Sequence, residues 1–285
     1  MKKNLFISII IIAIVAIAGI ISCDKINKPY RVEEQLVSCD TPAFPALNNV
    51  IQKYLLEDYT GHQCPNCPRA QRIATQMKTQ MGDTLVLMAI HSGTQARPEA
   101  SDGDCSYSTD YRTEVGDGYT EKFKIPSYPR GMINRMVFGN ERTFSDPSWI
   151  SNMASIPRVA PTIGIQIIPI EGNGEVCVFV KTTLLDSISV PVRLNVLLIE
   201  SGMVSPQLDR TADSCGYVHN HVLRTAIAPV EGDNLSISAK DSFQIKGYSF
   251  ELSGAWKKEN CHIIAFIHDV NTDEILQVEE IALVE

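Results

Sequence analysis

The spacing of apolar positions changes near residue 160. Before it, hydrophobic residues come in short unbroken runs. Tyr54-Leu55-Leu56-Glu57-Asp58-Tyr59 is one, closed by a Thr60-Gly61 turn, and Thr84 to Ile90 is another. Runs of this length suit strands buried on both faces, as in parallel sheets. Between them, Pro65 to Met81 places Ala70, Ile73, Ala74 and Met77 on one helical face. A proline opens this segment and Gly82-Asp83 stops it, which predicts a helix. Strand, helix and strand with short joints form a βαβ unit with a parallel pair. A second helix is expected within 109–123, a short strand at Gly131–Arg135, and a closing helix over 147–155, where Asp146-Pro147 supplies the start signal.

After Pro161 the period becomes two. Strands are expected at 162–170, 174–184, 191–201, 217–229, 242–251, 260–270 and 274–284, with turn residues such as Glu231-Gly232-Asp233-Asn234 between them. Seven alternating strands in this span predict an antiparallel, immunoglobulin-like β-sandwich. The expected organisation is a leader over 1–23, a tether over 24–48, an α/β domain over 49–156 and an all-β sandwich domain over 157–285.

The leader follows from Lys2-Lys3, the apolar run Leu5 to Ile21, and Ser22-Cys23. This is the layout of a secretory signal peptide. An uncleaved anchor is the alternative, because the run approaches the length of a short membrane span. Gly19-Ile20-Ile21-Ser22-Cys23 resembles a bacterial lipobox, which implies lipid on Cys23. The tether is polar and broken by Pro29, Pro42 and Pro45. A net charge of −8, more negative once Lys2 and Lys3 are removed, argues against a nucleic-acid partner.

Export changes the reading of the eight cysteines. Outside the cytosol thiols pair and stay paired. With Cys23 given to lipid, seven remain, so a monomer keeps at least one unpaired. Cys64-Pro65-Asn66-Cys67 stands between a strand and a helix. There the helix N-terminus favours a thiolate, making Cys64 the nucleophile and Cys67 the resolving thiol. A structural zinc would need a second such pair, which the chain lacks. An inert disulfide is the other alternative. The cofactor expectation is therefore none beyond a redox-active disulfide, and no metal. His219 and His221, two apart on an expected strand, could join His262 or His268 on a metal, or simply bond a sheet edge. Glu99, Asp102, Asp104 and Asp110 lack calcium-loop spacing. Cys177 and Cys261 could bridge the sandwich or remain separate thiols.

The order Leu55 to Tyr59 and then Cys64 to Cys67 resembles thioredoxins. The resemblance implies that Asp58, six residues before Cys64, is the buried acid that relays a proton to the resolving cysteine. It also implies that Pro129, after Tyr128, is the cis-proline facing the redox pair. Gln63 stands where that family usually has tryptophan, and 93–118 is a long insertion. Three segments narrow the likeness: Glu57 to Pro68, Tyr128 to Arg135, and Val218 to Arg224. They resemble the twenty-eight-kilodalton outer-membrane lipoproteins of Bacteroidota, which pair a thioredoxin-like domain with a β-sandwich. That resemblance implies an outer-membrane, lipid-anchored protein. The absence of an acidic tract after Cys23 leans it to the periplasmic face. The function expected is a thiol–disulfide oxidoreductase acting on envelope proteins that bear cysteines. The rival is a non-enzymatic lipoprotein that binds a partner or helps assemble a neighbouring outer-membrane complex.

Overall fold

Strands β1 (Tyr54–Thr60) and β2 (Leu85–His91) run parallel, paired from Tyr54↔Leu85 to Thr60↔His91. Helix α1 (Cys67–Met81) crosses between them. Every residue of β2 is buried, which explains its unbroken apolar run. Strand β3 (Arg130–Ile133) lies antiparallel on the other side of β1. Helices α2 (Glu114–Lys122) and α3 (Trp149–Ser155) complete this half, and the Thr113 side chain caps α2 by accepting from the Gly116 N–H. The computed structural model describes residues 39–99, 105–172, 175–210 and 215–284. The expected leader and Cys23, expected to carry lipid, lie outside the described residues, as do Asp102 and Asp104.

The second half is β4 (Ile163–Glu171), β5 (Val176–Leu184), β6 (Val192–Glu200), β7 (Met203–Ser205), β8 (Tyr217–His219), β9 (Val222–Ala226), β10 (Asp233–Asn234), β11 (Phe243–Phe250), β12 (Cys261–Asp269) and β13 (Ile275–Ala282). A small sheet, ordered β11-β5-β4, packs face to face on β6, β12 and β13. Ile163, Ile165, Val178 and Val180 on one side meet Leu194, Val196, Ile263 and Ala265 on the other. This is a β-sandwich, and the described residues are mostly sheet with few helices.

One sandwich layer does not stop at the sandwich. Its strands continue as β13-β12-β6-β9-β2-β1-β3, with β10 also paired to β6, in one eight-stranded sheet. The expected immunoglobulin-like sandwich of seven strands therefore shares one of its layers with the first half. The strand expected over 217–229 breaks at His221, whose φ is 57°. Before the break β8 folds onto β7, and after it β9 pairs with both β6 and β2. The Ala89 N–H donates to the His221 carbonyl at 2.8 Å, at the join of the two halves. All described residues fall in one compact unit. The change of period at 157–161 thus marks a change of layer within shared hydrogen bonding.

The core of this shared sheet joins Leu55, Met88 and Ile90 to Leu197, Ile199, Leu223, Ile264 and Phe266. On the opposite face Leu56 and Leu87 pack under Ala70, Ala74 and Met77 of α1. Uncovering the five residues from the second half would cost about 1.5–3 kcal/mol each. Their sum rivals the net stability of about 5–15 kcal/mol of a typical domain. Residues 162–285 expressed alone are therefore expected to melt without cooperativity in calorimetry. A sharp endotherm would show that this face does not need its cover.

The last part of the expected tether is also fixed in place. Residues 39–48 carry no regular structure, yet Cys39 is disulfide-bonded to Cys177 of β5. The Gln166 amide donates to the Pro45 carbonyl at 2.9 Å, and Leu47 packs against Gly164. Pairing of Cys177 with Cys39 corrects the bridge considered between Cys177 and Cys261. Cys261 remains a buried free thiol.

Candidate functional site

The motif Cys64-Pro65-Asn66-Cys67 lies just beyond the carboxyl ends of the parallel pair β1 and β2, a place where open α/β sheets commonly put their chemistry. Thr60 and His91 close the two strands side by side. The turn after β1 then approaches the loop after β2. Gln63 N–H donates to the Gln95 carbonyl at 2.9 Å, and the His62 Nε2–H donates to the Arg97 carbonyl at 2.9 Å. Gly61 is required here, since a Cβ would run into the Gln95 carbonyl. Cys67 is the first residue of α1, with Pro68 following, so the pair sits at the positive end of the helix.

Cys64 and Cys67 form a disulfide with Cα atoms 5.4 Å apart. Both are buried, at 2% and 1% exposure. Pro129, expected opposite them, is buried, and the Tyr128–Pro129 peptide bond is cis. The Tyr128 hydroxyl lies 3.2 Å from Ser92 Oγ, which accepts from the Thr120 hydroxyl at 2.7 Å. Gly93 gives room for this tyrosine.

Asp58 is buried on the α1 face of β1, the side shared with Leu56 by strand alternation. It lines a small cavity with Gln71, Ala74 and Thr75 of α1 and with Asn220 and His221. Burial pushes its carboxyl up to about 8, with the charge of Asp146 adding to the effect. Asp146 is itself held by Arg69 through two hydrogen bonds of 2.7 and 2.9 Å. Burial therefore favours the neutral form of the Asp58 carboxyl.

The burial of Cys64 has a source the sequence did not indicate. The segment 206–209, following β7, lies over the motif. Gln207 Nε2 donates to the carbonyls of Gly61 at 3.3 Å and Cys64 at 3.1 Å. Leu208 N–H donates to the His62 carbonyl at 2.7 Å, and Arg72 of α1 pairs with Asp209 at 3.1 Å. On the neighbouring strand β8, the Tyr217 hydroxyl donates to Gln71 Oε1 at 3.0 Å. Burial followed by the charge of Asp58 raises that phenol to about 12.

Behind the motif stands a cluster of rings that sequence reasoning also missed. His91 and His219 have centroids 5.5 Å apart, and Tyr111 lies 5.1 and 5.0 Å from them. His62 stacks on Tyr107 at 5.5 Å. Burial, followed by the charge of His219, lowers His91 well below its usual range, and burial followed by the charge of His62 lowers His219 to about 4. These rings pack on one another behind the motif. The kink at His221 turns it off the face of His219, while His262 faces Glu280 at 2.9 Å. The four histidines weighed as a metal set are not brought together. Among the described residues no three metal-ligating side chains converge. Asp110, weighed for calcium, instead binds Arg112.

On the other face of β1, Glu57 accepts from Arg135 at 2.9, 3.0 and 3.2 Å. The guanidinium lies 4.6, 4.8 and 4.9 Å from the rings of Tyr119, Phe123 and Phe266. Adjacent acids Glu57 and Asp58 inside a buried strand were the available signal: alternation sends one to a cation and leaves the other as an acid.

The family model described as outer membrane protein Omp28 matches residues 116–285. Among solved structures, HBP35 of Porphyromonas gingivalis superposes with a TM-score of 0.61 at 18% identity. The match covers 82% of this chain and 76% of that one, a likeness of fold. A domain of the outer membrane lipoprotein Omp28 from Porphyromonas gingivalis gives a TM-score of 0.31 at 23% identity, over 43% of this chain and 88% of that one. No curated protein matches the chain.

Proposed function

Since the chain belongs to the outer membrane protein Omp28 family, we propose that it is a lipid-anchored thiol–disulfide oxidoreductase of the envelope, built on a thioredoxin-like N-terminal half. The observation that carries this reading is a disulfide at a helix N-terminus with a buried, neutral acid on the strand beneath that helix. In this reading Cys23 holds the lipid, the periplasmic face is favoured, and the substrates are envelope proteins bearing cysteines. No cofactor beyond the disulfide is called for.

The disulfide form accepts electrons. A substrate thiolate attacks Cys64 Sγ, the Cys64–Cys67 bond breaks, and Cys67 leaves as a thiolate that takes a proton from Asp58. A second substrate thiolate then attacks its own sulfur in the mixed disulfide, expelling Cys64 and leaving the substrate oxidised. The reverse sequence reduces a substrate through the same intermediate. Pro129, with its cis bond, would align the substrate backbone beside Cys64.

A second reading, a scaffold that binds a partner without turnover, is favoured by the 2% exposure of Cys64. One experiment separates the two. With Cys67→Ser the resolving attack is gone, so mixed disulfides should accumulate on Cys64 in envelopes and be recovered by affinity purification. Cys64→Ser, Cys67→Ser should trap nothing. Equal, background recovery from both variants would favour the scaffold.

A further inference from the structure

The two disulfides of this region differ in access. Cys64 and Cys67 are sealed under the 206–209 cover, whereas Cys105 and Cys215 are both half-buried and bonded to each other. Cys215 stands two residues before Tyr217, in the same β7–β8 connection that carries the cover. Cys105 stands two residues before Tyr107, which stacks on His62 next to the motif, and the Tyr111 hydroxyl donates to Ser205 Oγ of β7 at 2.8 Å. The bond thus ties the hairpin to the insertion that walls the motif.

We propose that Cys105–Cys215 is a redox site in its own right, a lock whose reduction by a dithiol releases the cover from Cys64. The proposal rests on the redox reading of Cys64–Cys67 and adds the order in which the two bonds react. A thiolate of the dithiol attacks one sulfur of Cys105–Cys215, and the other leaves as a thiolate. The second thiol of the reagent then attacks the mixed disulfide. The reagent ends as its own disulfide, and Cys105 and Cys215 end as thiols.

The lock works through the open state of the cover. The half-cystines are 110 positions apart, and their bond restricts any state in which the hairpin lifts away. Cutting it returns chain freedom to that open state, while the polar bonds of the closed state are unchanged. Local opening then becomes less costly. The closed cover rests on a few bonds, among them those from Gln207 Nε2 to the Gly61 and Cys64 carbonyls and from Leu208 N–H to the His62 carbonyl. A hold of this kind can be released without unfolding the sheet beneath.

The test is a time course of dithiothreitol reduction on the purified full chain, quenched with a maleimide and read by peptide mass spectrometry. Cys105 and Cys215 should label first and Cys64 and Cys67 after a lag. In Cys105→Ser, Cys215→Ser the lag should vanish and Cys64–Cys67 should be reduced about tenfold faster. Gln207→Ala, which keeps every cysteine, should also speed Cys64–Cys67 while leaving the Cys105–Cys215 rate unchanged. If Cys64–Cys67 is reduced at the wild-type rate in both variants, the lock is overturned. Trapping with Cys67→Ser on the double-serine background separates this outcome from failure of the oxidoreductase reading. Faster reduction without adducts keeps the lock and removes the oxidoreductase. Adducts with unchanged reduction rates do the reverse.

Discussion

Asp58→Asn is expected to raise the unfolding free energy by about 3–5 kcal/mol at pH 8, a gain that shrinks as the pH falls to 4. The carboxyl titrates near 8 in the folded chain and near its ordinary value of 3.8 when exposed. Between those values the unfolded chain has lost the proton and the folded chain keeps it. Folding must then take up a proton, and stability falls as pH rises through the interval. Below the lower value both states are protonated and no penalty remains. Asparagine removes the titration and keeps the shape. Urea unfolding of both proteins from pH 4 to 8.5 checks this, and parallel stability curves would show that Asp58 is not held neutral. The same variant should slow exchange at Cys64–Cys67 above pH 6, because the departing Cys67 thiolate loses its proton donor.

Arg135→Met is expected to destabilise the chain by about 3–5 kcal/mol, since it leaves Glu57 as an unpaired buried charge. Arg135 and Glu57 are 1% and 0% exposed, so water cannot take over either role. The methionine keeps the contact with Tyr119, Phe123 and Phe266, which isolates the charge effect from loss of packing. Replacing both partners, with Glu57→Leu and Arg135→Met, should recover most of the loss because no buried charge is left. Denaturant midpoints of the two singles and the double give the coupling directly. A double variant no better than Arg135→Met would assign the loss to packing around the guanidinium.

The parts legible in the sequence were those set by local pattern. The unbroken runs at 54–59 and 84–90 became β1 and β2, and the proline-led helical face became α1. Period two located most strands of the second half. What the pattern could not carry was set by distant residues. A backbone reversal at His221 splits one expected strand into β8 and β9, and nothing in its side chain announces a positive φ. In the shared sheet the two halves meet at the single residue pair Ala89↔Val222, through backbone groups that have no sequence signature. The burial of Cys64 comes from Gln207, 143 positions away. The odd cysteine count did foretell a free thiol, while geometry alone chose Cys261 for it.

The Cys39–Cys177 bond decides where tension enters the protein. Any pull along the chain that precedes Cys39 is taken by a covalent bolt on β5, the middle strand of the small sheet, held on both sides by β4 and β11. The segment between that bolt and β1 is bypassed by the load. A protein hung from its N-terminal end could therefore bear drag at the outer layer while β1, α1 and the disulfide they position carry none of the load.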